Sequence, residues 1–144
     1  MNTWTLLLAA GRGTRLKELK EKKQFLVWQG MPLFWHSAMV FARVPQIHGV
    51  VFVFPAESMD QNCRMVHELI RERGPEFEWR AAPGGDQRQD SVRSGLKALP
   101  RSCDRVLVHD AARPFLTADL VQRVISGLDA GAAGVVPGIP VTDT

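Results

Sequence analysis

Residues 6–15 read LLLAAGRGTR: an apolar run stops at Ala9-Ala10, passes into Gly11-Arg12-Gly13, and meets Arg15 two residues later. A buried strand entering a tight loop has this form. Glycine lets the main chain approach a ligand closely, and backbone amides with a nearby guanidinium offset negative charge. The stretch therefore predicts a phosphate or nucleotide loop at the end of a first strand, Trp4–Leu8. A lone Gly-x-Gly also fits an ordinary strand-to-helix turn. The GxxxxGK[ST] pattern is absent. The GxGxxG pattern fails at Leu16, and Pro55 rather than an acidic residue follows the second strand.

Outward from this loop, short apolar runs alternate with amphipathic segments. Helices are expected over Pro32–Arg43, with Leu33, Phe34, Val40 and Phe41 as its apolar positions, and over Met59–Arg73, Asp90–Leu99 and the stripe Leu120, Val121, Val124, Ile125 and Leu128. Ser58 and Thr117 read as N-caps of the second and fourth helices, and Gly74-Pro75 ends the second. Strands are expected at Gly49–Phe54, Phe77–Arg80, Arg105–His109 and Ala132–Val136. This alternation predicts one α/β domain over residues 1–144, a Rossmann-like, mostly parallel sheet with helices on both faces. Ligands of such sheets bind beyond the carboxyl ends of the strands.

The chain of 144 residues carries a net charge of +3, and Arg12 to Lys23 alone holds six basic residues against Glu18 and Glu21. A solvated helical face explains most such runs. Directly after a glycine loop, a lid over polyphosphate is the favoured reading. No aromatic residues interleave the charges, so a nucleic-acid surface is not expected. No apolar run approaches the roughly 20 residues that span a bilayer, and no basic segment precedes Trp4 as in a signal peptide. Cys63 and Cys103 have no metal-ligand spacing and are expected as free thiols of a cytoplasmic protein.

Two further segments should reach the same sheet edge. Pro83-Gly84-Gly85-Asp86 could admit a flat base against the backbone, or be a turn capped by Asp90 or Ser91. Val108-His109-Asp110-Ala111-Ala112-Arg113-Pro114 puts an aspartate at a strand end, where it could hold a substrate hydroxyl or a metal, with Arg113 for a phosphate. Asp110 could equally form an Asx-turn with Arg113 as its ion-pair partner. His109 reads as a satisfied, half-buried histidine rather than a base.

Taken together, LAAGRGTR, KKQFL, GGDQRQDSV, HDAARPF and the terminal DT resemble, in order and spacing, the 2-C-methyl-D-erythritol 4-phosphate cytidylyltransferase family, of the sugar-nucleotidyltransferase superfamily. The resemblance implies transfer of a cytidylyl group from CTP to 2-C-methyl-D-erythritol 4-phosphate, with release of pyrophosphate, in a cytoplasmic isoprenoid pathway. It implies Arg15 and Lys23 as catalytic cations, with Ala9, Ala10, Gly11, Gly13, Gly85, Asp86, Ser91 and Ala111 around CTP. Asp110, Arg113 and Thr144 are implied on the acceptor side. Magnesium (Mg2+) would be held mainly by the CTP phosphates, with no protein metal ligands.

Leu8 and Lys22 stand where this family usually has proline. The family continues beyond the DT motif through a dimerisation arm and further basic residues. The chain is thus expected to be an N-terminal portion, homodimeric in full-length form and weakly active or inactive alone. Two alternatives stay open: a cytidylyltransferase for another polyol phosphate such as ribitol 5-phosphate, and a non-catalytic CTP-binding module.

Overall fold

The computed structural model describes residues 1–11, 25–74 and 76–140. In chain order the elements are β1 (Thr3–Leu8), β2 (Val27–Trp28), β3 (Met31–Pro32), α1 (Leu33–Ala42), β4 (Ile47–Phe54), α2 (Met59–Arg73), β5 (Glu78–Pro83), α3 (Arg88–Lys97), β6 (Arg105–Asp110) and α4 (Ala118–Asp129). β5, β4, β1 and β6 lie side by side in that order, all parallel. The chain thus builds outward from β1 to β5 and then returns past β1 to place β6 on its other side. The reversal leaves the crevice at the strands' carboxyl ends in which open α/β sheets bind ligands.

Period-two alternation sends successive side chains to opposite faces and divides the interior in two. Leu7, Val50, Phe52 and Phe54 pack with Phe34, Trp35 and Phe41 of α1, Val66 of α2, and Val121 and Ile125 of α4. Trp4, Leu6, Leu8, Val51 and Val53 pack on the other face with Val92 of α3 and Leu99. Helices therefore cover both faces, as the alternation in the sequence predicts. Gly49 lies opposite Trp4 in the ladder, and a Cβ there would stand 2.6 Å from the indole ring. Only glycine lets that ring lie over the neighbouring strand.

Several boundaries differ from expectation. Pro32 is the N-cap of α1 rather than part of its first turn, and the buried face of that helix is Phe34, Trp35, Ala38 and Phe41, with Leu33 and Val40 only partly buried. Ser58 takes the N-cap position of α2 as expected, at the end of a short 3-10 turn, but its hydroxyl accepts from Asn62 Nδ2 (3.0 Å) rather than from a helix-end amide. Thr117 caps α4 as expected, accepting from the Leu120 amide at 3.3 Å. β5 runs to Pro83, further than Phe77–Arg80, because its ladder with β4 continues to the Phe54–Pro83 pair.

The expected strand at Ala132–Val136 does not form. Its start turns back onto α4, with the Ala132 amide donating to Gly127 O (3.3 Å), and Gly131 adopts φ +96°. The segment then runs exposed through Gly134, Pro137, Gly138 and Pro140, a composition poorly suited to a ladder. β6 accordingly pairs with β1 alone among the described residues. The β2–β3 hairpin was not anticipated: Gln29 and Gly30 both have positive φ (50° and 75°), the backbone of a two-residue type I′ turn. No described helix is long and apolar enough to cross a membrane.

Phe34 sits at the junction of these contacts, fully buried, with its ring centroid 5.4 Å from that of Phe54 and 5.8 Å from those of Phe25 and Phe52. Phe34→Ala is expected to cost about 3–5 kcal/mol of stability, read as a lowered urea midpoint.

Candidate functional site

Hydrogen bonding of the sheet continues one residue beyond its strands and fixes the loops that follow. The Ala9 amide donates to Val53 O (2.8 Å), the Gly84 amide to Phe54 O (2.7 Å), and the Ala111 amide to Leu8 O (2.9 Å). All three segments singled out in the sequence are thereby anchored along one edge. Gly13, Arg15, Lys23 and Thr144 lie outside the described residues.

On the β4–β5 side two glycines lie close against the side chains of Ala10 and Asp90. A Cβ on Gly84 would fall 2.1 Å from Ala10 Cβ, and one on Gly85 would fall 2.3 Å from Asp90 Cβ. Neither position has room for a side chain. A cavity of about 300 Å³ opens beside them, lined by Ala10, Pro55, Glu57, Gly84, Gly85 and Asp86. Ser91, buried in α3, accepts from the Gly85 amide at 3.1 Å, which leaves its hydroxyl proton for another acceptor.

The expected cap at Asp90 or Ser91 is corrected by this geometry. Gln87 is the N-cap of α3, and Asp90 Oδ2 accepts from the Gln87 amide (3.2 Å) three residues into the motif. A capping-box pattern places the acidic residue there rather than at the cap.

On the β6 side, Asp110 ends its strand with its carboxylate between two arginines. Arg88 Nε donates to Oδ1 at 3.1 Å, and Arg113 Nε stands 3.8 Å from Oδ2. The Arg113 amide donates to Asp110 O (3.0 Å), closing a turn. Arg113 is therefore the ion-pair partner that one reading of the sequence anticipated. Ala111 is fully buried with its amide engaged by Leu8, so its backbone is fixed beside the loop of Ala9. Ion pairs this exposed contribute little to stability.

Sequence reasoning missed Arg88 as an individual residue, although it lies within GGDQRQDSV. Its partner is 22 positions away, and no local pattern announces the contact. Glu57 was missed for the same reason: it reaches the cavity through the turn after β4.

Among the described residues no group of three or more His, Cys, Asp or Glu side chains could hold a metal ion. The one carboxylate at the end of β6 is already occupied by arginines.

A four-stranded parallel sheet with helices on both faces, glycine-tight loops and a bridged aspartate on its carboxyl edge defines an α/β protein of the doubly wound type. Comparison with known proteins narrows this class. The family model of 2-C-methyl-D-erythritol 4-phosphate cytidylyltransferase (IspD) matches residues 4–144, and the chain belongs to that family. A bifunctional enzyme IspD/IspF of Oleidesulfovibrio alaskensis is 51% identical over the whole chain, which spans 37% of that protein. A 2-C-methyl-D-erythritol 4-phosphate cytidylyltransferase of Solibacter usitatus is 33% identical over the whole chain, which spans 59% of it. The solved 4-diphosphocytidyl-2C-methyl-D-erythritol synthase of Anaerococcus prevotii shares the fold, with a TM-score of 0.71 at 23% identity, covering 89% of this chain and 51% of its own.

His109 supports the turn after β6 from beneath. Its Nε2 lies 3.0 Å from Arg113 O and 3.3 Å from Ser37 Oγ of α1, and its ring contacts Phe41 edge-on. A carbonyl can only accept, so Nε2 carries the proton. Burial pushes the imidazole below its ordinary value, outweighing the opposing effects of the Arg113 carbonyl and the Asp110 charge. The unfolded chain therefore takes up a proton more readily than the folded one. The resulting stability is complete above the unfolded pKa of about 6.5 and is lost as pH falls below it towards the folded value. Thermal melts between about pH 7 and pH 5 should show a decline in Tm that is shallower in His109→Gln.

Proposed function

We propose that the whole protein transfers a cytidylyl group from CTP to 2-C-methyl-D-erythritol 4-phosphate, forming 4-diphosphocytidyl-2-C-methyl-D-erythritol and pyrophosphate. Membership of the family supports this reading. The observation that carries it is the close approach of Gly84 to the Ala10 side chain beside the Gly85–Ser91 bond, at the cavity lined by Ala10, Gly84, Gly85 and Asp86.

A cytosine edge offers an amino donor beside ring and carbonyl acceptors. In this reading the carbonyls of Ala10 and Gly84 face the amino group, and the Ser91 hydroxyl donates to an acceptor. Asp86 lies at the mouth of the cavity. The Ala9–Gly13 loop, through Ala9, Ala10, Gly11 and Gly13, follows the nucleotide from base to phosphates, and the Ala111 backbone lies towards the ribose.

The acceptor phosphate oxygen attacks the α-phosphorus of CTP as the bond to the pyrophosphate oxygen breaks in line. The protein contributes positioning and charge stabilisation rather than covalent chemistry. Arg15 and Lys23 are assigned to the charge that builds on the α-phosphoryl and leaving oxygens, where a preorganised cation has most effect. Magnesium on the triphosphate would offset the same charge. Asp110 orients the hydroxyls of the acceptor, with Arg113 and Thr144 on its phosphate side. The chain spans little more than a third of its bifunctional relatives; a homodimeric, cytoplasmic whole protein is part of the proposal.

Calorimetry is expected to show CTP–magnesium binding to this chain in preference to ATP and UTP, weakened at least about tenfold by Gly84→Ala, whose methyl cannot fit against Ala10. Equal affinity for the three nucleotides would refute the cytosine assignment. In the whole protein, Arg15→Ala or Lys23→Ala should lower kcat by roughly a hundredfold or more with circular dichroism unchanged. Retention of turnover in both variants would refute the charge clamp.

A further inference from the structure

Arg88 is the first residue of α3, the helix whose amino end carries the Gly84–Asp86 loop. A cation there opposes the positive end of the helix dipole, where an acidic or neutral side chain is preferred. Helix stability therefore gives no reason for an arginine. Its contact does: Nε reaches across the strand ends to Asp110 Oδ1 at 3.1 Å, joining the start of α3 to the end of β6. Arg88 is 62% exposed at its side chain and Asp110 34%, so the bridge spans the open mouth of the crevice and is not a core ion pair. Asp110 meets Arg113 only at 3.8 Å, which makes Arg88 the closer of its two cationic partners.

We propose that Arg88 is a positioning residue that holds the Asp110 carboxylate in its acceptor-facing orientation and couples that orientation to the base-side loop. The proposal rests on the cytidylyl-transfer reading and assigns Arg88 to the acceptor step rather than to CTP binding. Without Arg88, Asp110 would turn towards Arg113 or solvent, while the Gly85–Ser91 bond and the cavity beside Ala10 would keep their geometry. The loss should therefore divide cleanly between the two substrates.

The test is steady-state pyrophosphate release by the whole protein with 2-C-methyl-D-erythritol 4-phosphate as acceptor, alongside calorimetry of CTP. Arg88→Gln should reduce kcat/KM for the acceptor about tenfold or more, as expected for a lost charge-assisted bond, and leave the Kd of CTP within about twofold. The double variant with Asp110→Asn should be no worse than Asp110→Asn alone, since both changes remove one interaction. Arg93→Gln, which removes a cation from the same helix paired with Asp90 at 3.5 Å, should leave kinetics and Tm unchanged.

Wild-type kinetics in Arg88→Gln, an equal loss of CTP affinity, or multiplicative losses in the double variant would each overturn the positioning role. Absence of pyrophosphate release from the wild type with this acceptor would overturn the transfer reading and this role with it.

Discussion

Everything in this chain is referred to β1. Its six residues are buried, and it is hydrogen-bonded along both sides, to β4 and to β6. Its amino end is fastened too, with the Asn2 amide donating to Asp104 Oδ2 at 2.7 Å and the Asp104 amide to Asn2 O at 2.9 Å. A buried peptide group without a partner costs roughly 1–3 kcal/mol, and a one-residue slip would turn every side chain to the wrong face. The register is therefore rigid, and that rigidity passes directly to the loops. Ala9 and Ala111 are held by the same ladder that holds Leu6 and Leu7. The site is thus an extension of the sheet.

Two kinds of constraint meet at that edge. Beside Ala10 the constraint is exclusion: Gly84 and Gly85 have no room for a side chain at the wall of the cavity. At the end of β6 the constraint is charge, with Asp110 between Arg88 and Arg113. Exclusion needs no ionic balance and tolerates little change in shape. An exposed ion pair tolerates changes of shape but depends on each partner. In the proposed reaction that difference would make the nucleotide half rigid and the acceptor half adjustable, which suits chemistry in which positioning does most of the work.

Much of the architecture was legible in the chain. GVVFVF at 49–54 and RVLVH at 105–109 are apolar runs of strand length, and both are strands. The apolar stripe of α4 and its threonine cap were legible for the same reason, since periodicity and capping act over a few residues. The misreadings share another cause. Ala132–Val136 has strand-like composition, but a strand exists only where a neighbour accepts its ladder, and this segment hydrogen-bonds back to α4. The Trp28–Met31 hairpin was hidden because its strands are two residues long, too short for alternation to register. At α3, the position of the cap within the six polar residues Asp86–Ser91 depended on which side chain reached which amide.

By itself the sequence determined the parallel α/β class, most of the order of elements, and the glycine-bearing loops at the carboxyl ends of the strands. Its motifs also pointed to the family that the comparisons bear out. Those properties arise from local periodicity, steric freedom and residue type, which are written along the chain. Only the tertiary structure decided that β6 would lie beside β1 rather than beyond β5, bringing Asp110 within reach of Arg88. It also decided that Ser91 would serve the Gly85 amide and that His109 would support the turn beneath Arg113. These are contacts between residues far apart in sequence or between side chain and backbone across a turn. They exist only after the sheet has folded, because no short-range rule specifies which strand ends come together.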